Sequence, residues 1–230
     1  MSASALAASS LQAQVLASYD MQDTGNLTTA SFTDADVTAS TLGGTNLNGA
    51  GAFSLAGVDA SDTYTGWSRP NPNPASGNTV TDALNDGNFF TLSLTPNAGN
   101  ALSLTSLTFD AFAATGGPSE RSVYIFSDQA AFTAGNELFT ASTVTGLPLI
   151  PYNGATADVN FSVDLSTIGA LAIDEAISFR FYLQTPVAGQ NLAFDDITVN
   201  GSVIPEPASA ALLMGGLGVA MLGLKRRRKA

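Results

Sequence analysis

Apolar residues recur at every second position over much of the chain. Ile177, Phe179, Phe181 and Leu183 alternate with Ser178, Arg180 and Tyr182, and Phe161, Val163 and Leu165 alternate with Ser162 and Asp164. Successive side chains of a strand point to opposite faces, so each run predicts one face in a core and one turned toward solvent. Segments rich in Val, Ile, Phe, Thr and Tyr predict strands over residues 15–21, 35–41, 88–94, 103–113, 121–126, 138–143, 159–165, 176–183 and 191–203. Asn85-Asp86-Gly87, Asn97-Ala98-Gly99-Asn100, Gly116-Gly117-Pro118 and Asn153-Gly154 lie between apolar runs and read as turns. Residues 128–134 read as one helical turn with Asp128 as its N-cap. Residues 43–57, rich in Gly and Asn, and residues 69–74, rich in Pro, read as long loops on one rim, the second a stiff connector. About nine strands with little helix predict one all-β domain over residues 14–203, a two-sheet β-sandwich of jelly-roll type.

The period-two pattern stops at the C-terminal end. Val203-Ile204-Pro205-Glu206-Pro207 interrupts regular structure, because each proline lacks a backbone donor and restricts the residue before it. Residues 208–224 then carry no charge, and this run of about 17 sits at the short limit for a membrane-spanning helix. Lys225, Arg226, Arg227, Arg228 and Lys229 follow at once. No polar face interrupts the apolar run, so it predicts one C-terminal hydrophobic helix in a bilayer. Its basic flank belongs on the cytoplasmic side, which leaves the body outside.

Pro205-Glu206-Pro207, an apolar span and a terminal basic cluster, in that order, resemble the PEP-CTERM sorting signal of Gram-negative bacteria. The resemblance covers residues 204–230 and implies a partner. A membrane-embedded cysteine transpeptidase, the exosortase, would read Pro205, Glu206 and Pro207 and remove the helix. The product would pass transiently through the inner membrane to the cell surface or the extracellular matrix. In that scheme the three motif residues are substrate and not catalyst. A permanently anchored single-pass membrane protein is the alternative the same tail leaves open. At the other end, residues 1–13 are small and apolar and resemble the end of a secretory signal peptide cleaved after Ala13. The basic leading region is missing, so the segment is read as a truncated signal peptide.

Composition narrows the function. Charged residues make up 12%, against about 25% in ordinary soluble domains, while hydrophobic residues reach 45% and argue against disorder. The body holds only Arg69, Arg121 and Arg180 against eighteen of the nineteen acidic residues. Such a polyanion repels nucleic acid, whose phosphates need a basic stripe. The absence of cysteine rules out disulfides and thiolate metal sites. The absence of histidine removes the commonest general base and zinc ligand. Glycoside hydrolysis needs two carboxyl groups at a set separation, and Glu120, Glu137, Asp174 and Glu175 are the remaining acid–base groups. No nucleophile motif or phosphate loop accompanies them. A secreted carbohydrate-active enzyme is therefore the second reading, behind a non-enzymatic exported surface or matrix protein.

Two body motifs carry candidate chemistry. Asp195 and Asp196 are adjacent in the last predicted strand and point to opposite faces unless a bulge intervenes. Whichever points inward needs donors or a cation. The segment resembles the closing strand of jelly-roll carbohydrate-binding modules, where acidic residues near the chain ends hold a structural calcium. The resemblance implies Asp195 and Asp196 as oxygen ligands, completed by Asp20 and Asp23 near the opening strand. Backbone capping or edge hydrogen bonding is the plainer role. Trp67, the single tryptophan, either plugs one end of the core or offers a face for sugar stacking. The second role makes extracellular polysaccharide a partner.

Overall fold

The computed structural model describes residues 13–21, 27–47, 53–56, 67–70, 74–114, 119–150, 160–187 and 192–206, with backbone alone for 53–56, 67–70, Ala114 and Ile150. Asp23, the leader up to residue 12 and the tail from Pro207, with its predicted helix and basic cluster, lie outside the described residues. In chain order the strands are β1 (Gln14–Tyr19), β2 (Phe32–Thr33), β3 (Val37–Ala39), β4 (Gly43–Thr45), β5 (Phe53–Ala56), β6 (Trp67–Pro70), β7 (Phe89–Pro96), β8 (Asn100–Ala114), β9 (Ser122–Ser127), β10 (Phe139–Ser142), β11 (Leu149–Ile150), β12 (Asn160–Asp164), β13 (Ile177–Gln184) and β14 (Leu192–Pro205). One α-helix, α1 (Val80–Asp86), lies between β6 and β7.

The strands form two sheets. One runs β11-β8-β14-β1-β2, with β12 also on β8 and the β5–β6 pair on β14. The other runs β10-β9-β13-β7-β3, with β4 also on β7. Every pairing is antiparallel except β11 with β8. This is the expected all-β sandwich of jelly-roll type. The predicted inner rows meet in its centre. Phe90 stacks on Phe181 at 4.5 Å between centroids, Phe109 meets Phe181 edge-on at 5.7 Å, and Phe194 meets Phe90 edge-on at 5.3 Å. All four rings are fully buried. Such burial is worth about 2–3 kcal/mol per side chain before packing geometry is added.

Three local expectations are corrected. Residues 128–134 form turns and bends, not a helical turn. Asp128 is spent on the neighbouring strand instead: its Oδ1 accepts from the Ser178 amide at 3.0 Å, and its own amide donates to Ser178 O. The helix forms at α1. Thr79 Oγ1 accepts from the Asp82 amide while Asp82 Oδ2 accepts from the Thr79 amide, and Gly87 closes the helix at φ 64°. The reciprocal cap satisfies donors that a short helix would otherwise leave bare. Asn85-Asp86-Gly87, read as a turn between apolar runs, is thus the C-terminal end of this helix. Finally, the two predicted rim loops contain β4, β5 and β6.

The helix changes the outer face of the second sheet. Ala83, Val80 and Leu84 pack on Tyr124, Phe126 and Tyr182, so Tyr182, predicted to face solvent, is 3% exposed. Beside it the Arg180 guanidinium lies over the Phe132 ring at 4.1 Å and the Phe89 ring at 4.6 Å. A cation against ring faces is favourable because of the ring quadrupole.

Candidate functional site

The two aspartates of the last strand are separated by a bulge. Asp195 pairs with Asp110 of β8, and the next pair is Thr198 with Thr108, so two residues of β14 face one of β8. Asp196 takes φ 47°, a left-handed conformation that Asp tolerates better than most residues. Its amide donates to Asp195 Oδ1 at 2.9 Å. Phe194 turns into the core, so Asp195 turns to the outer face of the sheet, opposite Asp110. Asp195 is only 9% exposed while Asp196 is exposed.

Three carboxylates crowd Asp195. Asp196 adjoins it, Asp110 lies across the ladder, and Asp20 follows Tyr19, which pairs with Ile197 just past the bulge. Burial first, then Asp196, then Asp110 and Asp20 push the Asp195 carboxyl up to about 8, against the pull of the Asp196 amide. Asp196 is raised by burial and by Asp110 and Asp20. Asp195 therefore keeps its proton at neutral pH, the usual response of a buried acid with like charges beside it. Asp110 Oδ1 accepts from Asn160 Nδ2 at 2.9 Å, and the Asp20 amide donates to Ser31 Oγ.

Of the residues singled out in the sequence, Asp20, Asp195 and Asp196 come together, and Asp110 joins them. Asp110 lies between Phe109 and Ala111 in β8 and was not singled out in the sequence, because only the pairing with β14 brings it opposite Asp195. Among the described residues no three acidic groups are spaced to hold a metal ion. Trp67 opens β6, which pairs with β14 at Ser68 and Phe194, so its backbone lies beside the residue preceding Asp195. None of the other acidic candidates is among the charges that act on Asp195. Glu137 accepts from the Gly135 amide, Glu175 from the Ala172 amide, and Asp174 from the Gly99 amide; each fastens a turn.

At its far end β14 runs into the proline motif. Pro205 pairs with Asn100, and the Glu206 amide donates to Gly99 O at 2.8 Å. Asn100 O accepts from Asp174 N, and Leu102 O accepts from Leu171 N, so both carbonyls point away from β14. Pro205 thus occupies a non-hydrogen-bonded position, where its missing donor costs the ladder nothing. Among the described residues no helix is long and apolar enough to cross a membrane.

The chain has structural likeness to two sugar-binding modules. One is the carbohydrate-binding module TmCBM27, studied for specific mannan recognition, at 7% identity over 83% of this chain and 98% of that one, with a TM-score of 0.44. Another is the family 11 carbohydrate-binding module from Clostridium thermocellum in complex with a β-1,3-1,4-mixed-linked tetrasaccharide, at 11% identity over 82% of this chain and 98% of that one, with a TM-score of 0.32. At such identities the likeness says nothing of what this chain binds. No curated protein matches the chain. Residues 203–229 match the PEP-CTERM protein-sorting motif, and a motif of this kind implies an exported protein.

Proposed function

We propose that this is a non-enzymatic cell-surface or extracellular-matrix protein whose tail is read at Pro205-Glu206-Pro207 by an exosortase-type transpeptidase, and whose sandwich binds polysaccharide. The observation that carries the reading is the sorting match over residues 203–229, which begins within the last strand of the body. The apolar run after Pro207 is a transient anchor in this scheme, with the basic cluster on the cytoplasmic side. The glycan surface of this reading is the stretch where β6, which opens at Trp67, meets β14 beside the Asp195–Asp196 bulge. Calcium is not part of this reading, because no three acidic groups among the described residues, Asp20, Asp195 and Asp196 included, are spaced to hold a metal ion.

The mature C-terminus decides the sorting half. Mass spectrometry of the exported protein should find an end near the proline motif, and Glu206→Ala should leave the tail on. An intact Ala230 in the exported wild type would replace processing by permanent anchoring. The glycan half is tested on residues 14–206 against a polysaccharide panel with and without calcium. Binding lost in Trp67→Ala supports the edge. Glycan hydrolysis that depends on two named carboxylates would overturn the non-enzymatic reading.

A further inference from the structure

We infer that the folded sandwich controls access to its own sorting motif: residues 204–206 must unzip from β8 before a transpeptidase can take Pro205-Glu206-Pro207. The inference rests on the sorting reading above. An enzyme that cuts a main chain binds it as an extended segment with free edges. Here the first two motif residues are already held at the last rung of a sheet. The Glu206 amide is bonded to Gly99 O at 2.8 Å, and Ile204 and Pro205 stand in register with Ala101 and Asn100.

The partner side of that rung is fixed in place. The Gly99 amide donates to Asp174 Oδ1 at 2.7 Å, and the Asp174 amide donates back to Asn100 O at 2.8 Å. The Asn97 amide donates to Asp36 O, and Asn97 Nδ2 donates to Ala35 O. The turn below the motif is therefore tied to two other loops, and β14 is the side free to move. The extent of the movement follows from burial. Val203 is 8% exposed within the main core, whereas Ile204 is half-buried and Pro205 and Glu206 are exposed. Strand ends of this kind open at low cost, but opening past Val203 would expose core.

The sequence gives no slack elsewhere, because the apolar run starts at Ala208, directly after the motif. When opening and closing are fast, cleavage follows the open population. The processing rate should then report the stability of this one strand end.

The test uses the full chain in lipid vesicles with the transpeptidase, following the C-terminus by mass spectrometry over time. One variant carries a six-residue Gly-Ser spacer between Ile204 and Pro205. The other pairs Ala101→Cys with Ile204→Cys, facing positions of a hydrogen-bonded pair about 5.5 Å apart, within disulfide reach. The chain has no other cysteine, so this bond forms alone. The spacer should speed processing several-fold. The oxidised pair should slow it at least tenfold, and reductant should restore the rate of the reduced pair. Equal rates for spacer and wild type, together with equal rates for oxidised and reduced pair, would overturn the inference and show the motif read in place. No processing of any chain, wild type included, would overturn the sorting reading itself.

Discussion

Replacing Asp195 by asparagine removes the most perturbed acid among the described residues while keeping its shape. In the folded state this carboxyl titrates at about 8, against an ordinary 3.8. Between those values the folded protein holds a proton that the unfolded chain has lost. Stability therefore falls as pH rises from about 4 to about 8 and levels off above it, the opposite of a salt-bridged carboxylate. At 1.36 kcal/mol per unit the full difference is about 6 kcal/mol, an upper limit because relaxation around a buried acid relieves part of it. Urea unfolding of residues 14–206 at pH 5, 7 and 9 reads this directly. The wild type should lose several kcal/mol from pH 5 to 9. Asp195→Asn should lose much less and should be the more stable protein at pH 9.

Asp82, Asp164 and Tyr19 stay out of that window. Asp82 and Asp164 are held low by hydrogen bonds from Thr79 and Ser166, so their contribution is lost only as pH falls below the normal carboxylate range. Tyr19 is pushed up to about 12 by burial, and its effect begins above pH 10. Asp196 is raised by burial and by Asp110 and Asp20, and leaves the variant a residual slope of the same sign. An Asp195→Asn protein with the full wild-type slope would refute the account.

Phe181→Ala empties the centre of the aromatic cluster, where the ring stacks on Phe90 and meets Phe109 edge-on; a loss of about 3–5 kcal/mol should appear as a lower urea midpoint with unchanged slope. Gly201→Ala would put a Cβ 2.4 Å from Ser103 O and 2.9 Å from Leu16 Cδ1, and should cost about 1–3 kcal/mol and lower the melting temperature. Thr79→Ala removes the α1 cap and should cost about 1 kcal/mol, with Thr79→Ser recovering most of it.

Much of the sandwich was legible because its strands obey one rule. Ile177, Phe179, Phe181 and Leu183 alternate in sequence and are all fully buried in the structure. The rule failed where a second layer intervened. Tyr182 belongs to the outward set of that strand, yet α1 covers it, and no pattern within β13 announces the cover. The helix had a readable signature in Thr79, Asp82 and Gly87 that competed with the stronger turn signal of Asn85-Asp86-Gly87. The short strands β4 and β5 were hidden by glycine-rich composition, which lowers strand propensity although a neighbour's ladder can still recruit the backbone. At the acidic edge, Asp195 and Asp196 stood out in the sequence. Asp110 did not, because it lies far along the chain and meets them only through the β8–β14 register.

That register also separates the two candidate surfaces. Asp196 and Glu206 are joined by ten residues of one strand, about 30 Å at a strand's rise of some 3.3 Å per residue. A charge is screened within about 8 Å at physiological ionic strength, so titration at the bulge does not reach the motif through solvent. Any influence has to travel through β14, as a change in how firmly the strand is held. The Ile204–Glu206 end opens without exposing core, whereas the bulge is anchored by Phe194 and Ile197, both fully buried. A local opening at one end therefore leaves the other intact. The Asp196 bulge and the Glu206 end can be altered independently, provided the buried stretch between Ile197 and Val203 stays folded.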